Sequence, residues 1–312
     1  MMTASTISLE VQQIFGFATC FFSIAANGFL LRVIHSSANP FIGRYAIMLT
    51  CFSVAEMLSS LIHAVVLPGV ALLSGGYIVF SANLVIDSPT WAGTAGAVIW
   101  GTMLYEMLLL LAFHYVYRFI VVCHAPWCAL SMWYWIALGV SVNAVFVVGC
   151  LLVFRGFLPT LESRRGLSAL SILYIGVDVN APPYPGFAGG IFRGPGLDGD
   201  MEWKPIVKYL VISFSLFVIT GLTIIACIIR IIRELRELTH FISTRTRNMH
   251  RSLFRALLAQ SSIPLLLCYI PVSIILIGPL AGLELGSVGD LLIMVNAVFP
   301  VTDPIVIMAY IP

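Results

Sequence analysis

Six polar or ionisable side chains interrupt the long apolar stretches of this chain of 312 residues, and they are the first candidates for chemistry. They are Glu56, Glu106, His114, Arg118, Asn296 and Asp303. An ionisable side chain at the middle of a membrane costs about 2.5–3.5 kcal/mol on insertion scales, so each one is by default a hypothesis for a functional site. Such groups can share protons or a cation, bond neighbouring helices, or contact a ligand.

The composition indicates a membrane protein. Apolar residues make up 60% of the chain and charged residues 10%, whereas soluble domains have about 45–50% and about 25%. A water-soluble enzyme or binding module of this size could not hide so much apolar surface. The net charge of +2 gives no field that would attract nucleic acid, so no nucleic-acid partner is expected.

Seven stretches are long and apolar enough to cross a lipid bilayer, which takes about 20 residues each. The predicted spans are 11–31, 45–68, 95–117, 133–154, 206–229, 257–279 and 288–311. We therefore predict an all-α membrane protein in which residues 1–312 form a single seven-helix bundle.

Arginine placement predicts the orientation of the bundle. Ten arginines lie in the segments that are cytoplasmic if the N-terminus is outside, and none lies in the short segments 1–10, 69–94 and 280–287. The positive-inside rule then places the N-terminus outside and the C-terminus in the cytoplasm. Residues 155–205 become a long extracellular loop, and residues 230–256 become a basic cytoplasmic loop.

The loops carry weaker predictions. Residues 181–200 are rich in glycine and proline and are expected to be a linker or a mobile flap, whereas 167–179 is apolar enough for a short strand or an interfacial helix. The basic loop looks like the fifth and sixth helices continuing past the membrane, either toward lipid headgroups or toward a cytoplasmic partner. Asp290 lies within a turn of a span end, so its side chain is expected to reach water.

Several polar residues are expected to meet around the bundle axis. Asn296, Pro300 and Asp303 lie on one face of the seventh span and are predicted to face Glu56 and Asn27. The carboxylates there could share protons or a cation and act as a switch. The alternative is simple hydrogen bonding between helices, which we favour for Asn27.

Prolines lie inside the last two spans, at Pro264, Pro271, Pro300 and Pro304. Each removes a backbone hydrogen bond and bends its helix, which suggests a bundle that opens at its cytoplasmic face. The alternative is that proline is simply common in membrane helices.

Some chemistries are not expected. Lys204 and Lys208 are the only lysines, so the seventh span cannot carry a retinal Schiff base. Histidine and cysteine do not cluster at metal-ligand spacing inside the spans. We therefore expect no cofactor and no metal.

Short motifs, in order along the spans, resemble those of nematode G-protein-coupled chemosensory receptors of the Str type. They are Gly43-Arg44-Tyr45, His114-Tyr115-Val116-Tyr117-Arg118, Leu253-Phe254-Arg255-Ala256-Leu257 leading into Ile263-Pro264, Ile270-Pro271, and Pro300-Val301-Thr302-Asp303-Pro304.

The resemblance implies a non-enzymatic receptor for small, often volatile odorants. It would lie in the plasma membrane of sensory cilia on chemosensory neurons and signal through a heterotrimeric G protein. By this resemblance Arg118 is the arginine that faces the G protein, and Asp303-Pro304 stands where a polar-proline switch sits. Two features depart from better-known receptors: Tyr117 replaces the acid before Arg118, and no cysteine is placed to form the usual outer disulfide.

Depth in the spans gives two predicted sets of site residues. The ligand-binding set is His63, Trp100, Met103, Glu106, Ser213, Tyr269, Ser273 and Asn296. The set for switching and G-protein coupling is Glu56, His114, Tyr117, Arg118, Pro264, Pro271, Asp303, Pro304, Arg233 and Arg251.

Two other classes stay open at this point. A proton-coupled transporter or ligand-gated channel would use the buried carboxylates, but we see no internal repeat of the kind common in carriers. A receptor relative that has lost signalling and serves as a partner subunit is the third possibility.

Overall fold

The computed structural model of the chain describes most of the predicted spans and part of the connections. The described residues are 7–36, 45–73, 76–83, 90–123, 127, 131–158, 187–191, 207–237, 258–259, 262–283 and 288–310. The helices are α1 (Leu9–Ser36), α2 (Tyr45–Val66), α3 (Thr90–Cys123), α4 (Met132–Phe157), α5 (Val207–Glu237), α6 (Ile270–Ile277), α7 (Val288–Ala297) and α8 (Phe299–Tyr310). A π-helical turn, Leu265–Tyr269, leads into α6.

The helical membrane bundle is confirmed. Within the described residues, six helical segments are long and apolar enough to cross a membrane, and a shorter one covers Ser262–Ile277. The fifth helix does continue into the basic segment, as far as Glu237. The rest of that segment, including Arg251, lies outside the described residues.

Buried area identifies α3 as the central helix. In the most apolar 18-residue stretch of each helix, 61% of the residues are buried in α3, compared with 17% in α4. Tyr115 and Leu108 on α3 are almost fully enclosed, whereas Trp133 and Val145 on α4 are about three-quarters exposed. Large apolar side chains remain outside because a bilayer, unlike water, solvates them.

A three-stranded antiparallel sheet covers one end of the bundle, and the sequence did not predict it. The strands are β1 (Pro68–Leu73), β2 (Gly76–Ser81) and β3 (Phe187–Ile191), in that order. The expectation that 181–200 is merely a linker or flap is therefore wrong for β3, and the connection after α2 forms a hairpin. Residues 167–179 lie outside the described part. We call this end of the bundle the sheet end.

The second helix ends before the predicted boundary at residue 68. Proline disfavours the helical conformation in the residue before it, and Leu67 adopts a left-handed backbone with φ of 47° immediately before Pro68. The carbonyl of Leu67 then accepts the backbone N–H of Ala82, at 3.0 Å. The chain thus leaves α2 and enters the sheet within one residue.

Strand β1 packs against the start of α7. Gly289 lies so close to the strand that a Cβ atom there would come within 2.0 Å of the Val70 carbonyl oxygen. Beside it, Asp290 is only 6% exposed, and its Oδ1 accepts the backbone N–H of Val70 at 3.0 Å. The expectation that Asp290 reaches water is therefore wrong, because the sheet covers it and supplies a hydrogen-bond donor.

Prolines coincide with the irregular parts of the last two spans. The π-helical turn lies between Pro264 and Pro271. The seventh span is divided at Val298, two residues before Pro300, into α7 and α8. Because proline has no N–H, regular helical hydrogen bonding fails around each of these positions.

Candidate functional site

Five elements contribute polar side chains to one buried cluster, which we call the axial cluster. It consists of Asn27 on α1, Glu56 on α2, Cys268 in the π-helical turn, Asn296 on α7 and Asp303 on α8. Asn27, Glu56 and Asp303 are at most 1% exposed. Buried polar groups are costly unless they find partners, so this arrangement has to be held by specific contacts.

Glu56 lies at the centre of the axial cluster. The side chains of Asn27 and Asp303 are its neighbours, although neither oxygen of Glu56 receives a well-directed hydrogen bond from the described residues. Cys268 lies close enough to interact with both carboxylates and with Asn296. The structure therefore confirms the prediction that the seventh span lies against Glu56 and Asn27.

Asn27 compensates for a proline on another helix. Its Nδ2 donates to the carbonyl oxygen of Pro300 at 3.0 Å and to that of Ser23, one turn back, at 3.1 Å. In a regular helix the Pro300 carbonyl would accept the N–H of residue 304, but Pro304 has none. The side chain of α1 therefore satisfies a carbonyl that α8 cannot satisfy itself.

Asn296 on α7 makes the same kind of contact with the π-helical turn before α6. Its Nδ2 donates to the carbonyl oxygen of Leu267 at 3.4 Å. Leu267 lies four residues before Pro271, so its carbonyl also lacks the usual helical donor. Each of two proline-disrupted helices thus has a freed carbonyl that is held by an asparagine from a different helix.

The end of the bundle opposite the sheet carries the predicted coupling residues of α3. His114 is 1% exposed, and its ring packs against that of Phe52 with centroids 4.8 Å apart. Tyr117 and Arg118 are half-buried on the next turn of α3. Arg233 is exposed near the end of α5. The structure therefore places these residues at one end of the bundle.

Hydroxyl groups connect α5 to α3 and to the π-helical turn. Tyr105 on α3 shares a short hydrogen bond with Ser213, and the Tyr269 hydroxyl donates to Thr220 at 3.1 Å. The ring of Tyr269 also packs against Phe217, with centroids 4.9 Å apart. Ser213 and Tyr269 are in the predicted ligand-binding set, whereas Tyr105 and Thr220 are not, although their depth and helical spacing could have indicated them.

The remaining members of the predicted ligand set are spread over different parts of the bundle. The His63 and Trp100 rings lie at the α2–α3 interface, with centroids 6.4 Å apart. Met103 is half-buried on α3, and the Ser273 hydroxyl donates to the carbonyl of Tyr269 at 2.6 Å. The ligand-binding candidates therefore do not all line one space.

Glu106 faces α4, not the space between α3, α5 and α6. Its Oε2 accepts a short hydrogen bond from the Asn143 side chain, and its carboxylate also lies near Cys150 of α4. Its partners in the structure are therefore on α4, and its place in the predicted ligand-binding set stays a prediction.

A cleft opens at the sheet end between α1, α2, β1 and α7. We call it the sheet-end cleft, and it is lined by Gln12, Phe15, His63, Leu67, Pro68, Asp290, Ile293 and Met294. Its enclosed space is only about 10 Å³, which is roughly the room that one water molecule needs. Three of its lining side chains, Gln12, His63 and Asp290, carry polar groups.

No metal centre is evident in the part of the chain that the structure describes. None of the histidine, cysteine, aspartate and glutamate side chains there form a group of three or more that could hold an ion.

Comparison with protein families gives one match over nearly the whole chain. Residues 12–312 match the family model described as "Serpentine type 7TM GPCR chemoreceptor Str". The match includes all five residues of the axial cluster. No curated protein matches the chain.

Proposed function

The chain belongs to the Str family of serpentine seven-transmembrane chemoreceptors, and we propose that it binds a small, often volatile molecule inside the bundle and activates a heterotrimeric G protein. The sheet end then faces outside and the Arg118 end faces the cytoplasm. Its place is the plasma membrane, in the sensory cilium of chemosensory neurons. In this role the protein is a conformational switch and performs no catalysis.

One observation carries the mechanism: the two helices that can most easily change shape are held by side chains of other helices. Asn27 holds the Pro300 carbonyl and Asn296 holds that of Leu267. A helix whose own hydrogen bonds are incomplete rearranges at lower cost, because fewer backbone bonds have to break. The sixth and seventh spans are therefore the moving parts of the switch.

The buried carboxylates give the switch two distinguishable arrangements. Glu56 on α2 and Asp303 on α8 are neighbours in the structure, so any displacement of α8 changes the interaction between them. Two adjacent carboxylates in an environment of low dielectric do not both carry a charge at low cost. Displacement of α8 and the protonation of this pair are therefore coupled.

The ligand pocket lies among α3, α5 and the π-helical turn. Tyr105, Ser213 and Tyr269 connect these elements, and Met103, Ser273 and Asn296 lie at similar depth. A ligand shifts the bundle only if it binds the active arrangement more tightly than the resting one. Contact with Tyr269 meets that condition, because Tyr269 is part of the turn that has to move.

Signalling in cells tests this function. Cells that express the chain at their surface, together with a set of G proteins, are exposed to a broad odorant panel. We expect at least one small molecule to produce a G-protein response. A surface-expressed chain that never changes G-protein signalling, or that passes ligand-evoked current in membranes without G protein, contradicts the proposal.

Arg118→Ala gives the narrower test. We expect it to abolish signalling while ligand binding is kept, because Arg118 lies at the G-protein end of α3. Arg32→Ala is the matched control, since Arg32 is exposed at the same end of the bundle on α1, and it should signal normally. Unchanged signalling in the Arg118 variant would remove this residue from the mechanism.

A further inference from the structure

We propose that α4 and α5, at the end of the bundle opposite the sheet, bind an anionic phospholipid, and that Arg230 and Arg233 of α5 hold its phosphate. We call this interaction surface the arginine face, and it consists of those two arginines with Trp133 and Tyr134 of α4. The proposal goes beyond the receptor function given above and does not depend on it, because it concerns the lipid that the two helices select.

One stripe of α5 faces away from the rest of the bundle and changes from apolar to basic at its end. Ile219, Leu222 and Ile229 on this stripe are exposed. Arg230 and Arg233, which are also exposed, continue it at the end of the helix. Residues three or four apart lie on the same face of a helix. A lipid whose acyl chain lies along the apolar part of the stripe therefore has its headgroup beside the two arginines.

The length of α5 puts these arginines at the surface of the bilayer. Lys208 is exposed at the start of α5, and no charged residue lies between it and Arg230. A helix rises about 1.5 Å per residue, which separates the two positions by about 33 Å. The hydrocarbon core of a bilayer is about 30 Å thick. With Lys208 at one surface, Arg230 therefore reaches the headgroups of the other leaflet.

The packing of α4 against α5 shows which part of α4 lies at the same depth. Two contacts fix the register of these antiparallel helices, Gly149 with Leu216 and Gly156 with Tyr209. Each step back along α4 corresponds to a step forward along α5 in this register. Continued to the end of the bundle opposite the sheet, it brings Trp133 level with Ile232, which lies between the two arginines.

The aromatic residues of the arginine face mark the membrane surface independently of the charges. Trp133 and Tyr134 are both exposed at the start of α4. Tryptophan and tyrosine are enriched where a membrane meets water, because one end of each ring system is apolar and the other is polar. The aromatic residues of α4 and the arginines of α5 therefore indicate the same headgroup level.

The two arginines are available to bind an anion. Neither side chain forms an ion pair or a hydrogen bond with a residue that the structure describes, although Glu234 and Glu237 lie on the same part of α5. A guanidinium group binds phosphate through two parallel N–H bonds, so two arginines one turn apart can hold one phosphodiester. In the proposed orientation they face the cytoplasmic leaflet, which carries the anionic lipids.

Quenching of tryptophan fluorescence by brominated lipids tests this preference without any need for signalling. The full chain in phosphatidylcholine vesicles receives increasing fractions of phosphatidylglycerol or phosphatidylcholine with brominated acyl chains. We expect phosphatidylglycerol to bind about 5- to 25-fold more tightly, because each basic residue near an anionic surface contributes about fivefold. Equal quenching by the two lipids overturns the proposal and leaves the surface to a cytoplasmic protein.

Arg230→Gln combined with Arg233→Gln identifies the groups responsible. The preference for phosphatidylglycerol should be lost in this double variant, and a preference equal to that of the wild type overturns the proposal. Arg32→Gln is the matched control, since Arg32 is exposed at the same end of the bundle on α1. It should keep the preference. An equal loss in the Arg32 variant would mean that the lipid responds to the overall charge of this end, which also overturns the proposal.

Two measurements on the wild type keep the proposal testable if the double variant does not fold. High salt should remove the preference because it screens exposed charges, and a preference that survives overturns the proposal. Inorganic phosphate at constant ionic strength should not displace phosphatidylglycerol, because the acyl chains add to the binding of the headgroup. Displacement by phosphate would show that the arginines bind a free anion, which contradicts a lipid site.

This proposal and the receptor function fail separately. A preference for the anionic lipid without any G-protein response contradicts only the receptor function. A G-protein response in a chain that shows no lipid preference contradicts only the arginine face.

Discussion

Asn27 donates its side-chain amide to the carbonyl oxygen of Pro300 at 3.0 Å, and the two residues are 273 positions apart in the chain. This bond fastens α1 to α8 at the point where Pro304 leaves the helix without an internal donor. It is a contact between a side chain and a backbone group, so substitution of one residue removes it and leaves a carbonyl without a partner.

Asn27→Ala should therefore lower the stability of the bundle. The expected loss is about 0.6–1.7 kcal/mol, the range measured for hydrogen bonds between membrane helices. Unfolding of the purified chain in lipid by a denaturing detergent measures it. Ser141→Ala is the control, because the exposed Ser141 bonds only its own helix, at Ala137, and should leave the stability unchanged. Equal stability of both variants would contradict the role of the amide.

Glu56→Gln and Asp303→Asn should show strongly non-additive effects. The two carboxylates are neighbours, so the first neutral substitution removes the interaction between them and the second finds it already gone. A double-mutant cycle on unfolding free energies should give an interaction energy of about 0.5–3 kcal/mol.

A second double-mutant cycle, which combines Asp303→Asn with Glu106→Gln, is the control. Glu106 has its partners on α4, at Asn143 and Cys150, and should couple weakly to α8. Additive effects for both pairs would mean that Glu56 and Asp303 do not interact in the membrane.

Tyr269→Phe should raise signalling in the absence of ligand. The hydroxyl of Tyr269 holds the π-helical turn to Thr220 of α5. Loss of this hydrogen bond destabilises the arrangement seen in the structure by about 1 kcal/mol. If that arrangement is the resting one, the active population rises about fivefold. Basal G-protein activity per surface receptor is the measurement.

Two further variants sharpen this prediction. Thr220→Val removes the other partner of the same hydrogen bond and should raise basal activity similarly. Tyr134→Phe removes a hydroxyl from an exposed position on α4 and should change nothing. Lower basal activity in the Tyr269 variant would assign the hydrogen bond to the active arrangement.

Gly289→Ala should disrupt the contact between α7 and the sheet. The added Cβ would lie 2.0 Å from the carbonyl oxygen of Val70, a backbone atom that has little freedom to move. Overpacking of this kind costs about 1–3 kcal/mol, and surface expression together with thermal stability should show it.

Gly28→Ala is the matched substitution for that test. Gly28 is an exposed residue of α1 with nothing within 4 Å of an added Cβ. It should be neutral or stabilising, because alanine favours a helix by about 1 kcal/mol over glycine. If both glycine variants are equally stable, the close approach at Val70 is absent from the protein in its membrane.

The helices could be predicted from the sequence because their signal is local. An apolar run of about 20 residues determines that a span forms, and prolines mark where its regular bonding fails. The meeting of Asn27, Glu56 and Asp303 was also predictable, since polar groups in apolar helices turn toward one another.

The pairing of the strands and the helix that Glu106 faces depend on contacts between residues far apart in the chain. Strand β2 pairs with β3, more than 100 residues further along the chain, and no nearby residue specifies that register. Asp290 was misplaced for the same reason, because its partner is a backbone N–H of the unpredicted strand β1. The depth of Glu106 followed from its position in the span, but which helix it faces depends on how α3 and α4 pack.

The pairing of β2 with β3 has a consequence for how receptors of this design can diverge. It joins two distant connections through main-chain groups, which every residue except proline can supply in full. The pairing can therefore persist through substitutions in β2 that preserve the backbone groups. In the proposed orientation this is the extracellular end of the bundle, so its sequence can vary while its attachment to the bundle stays the same.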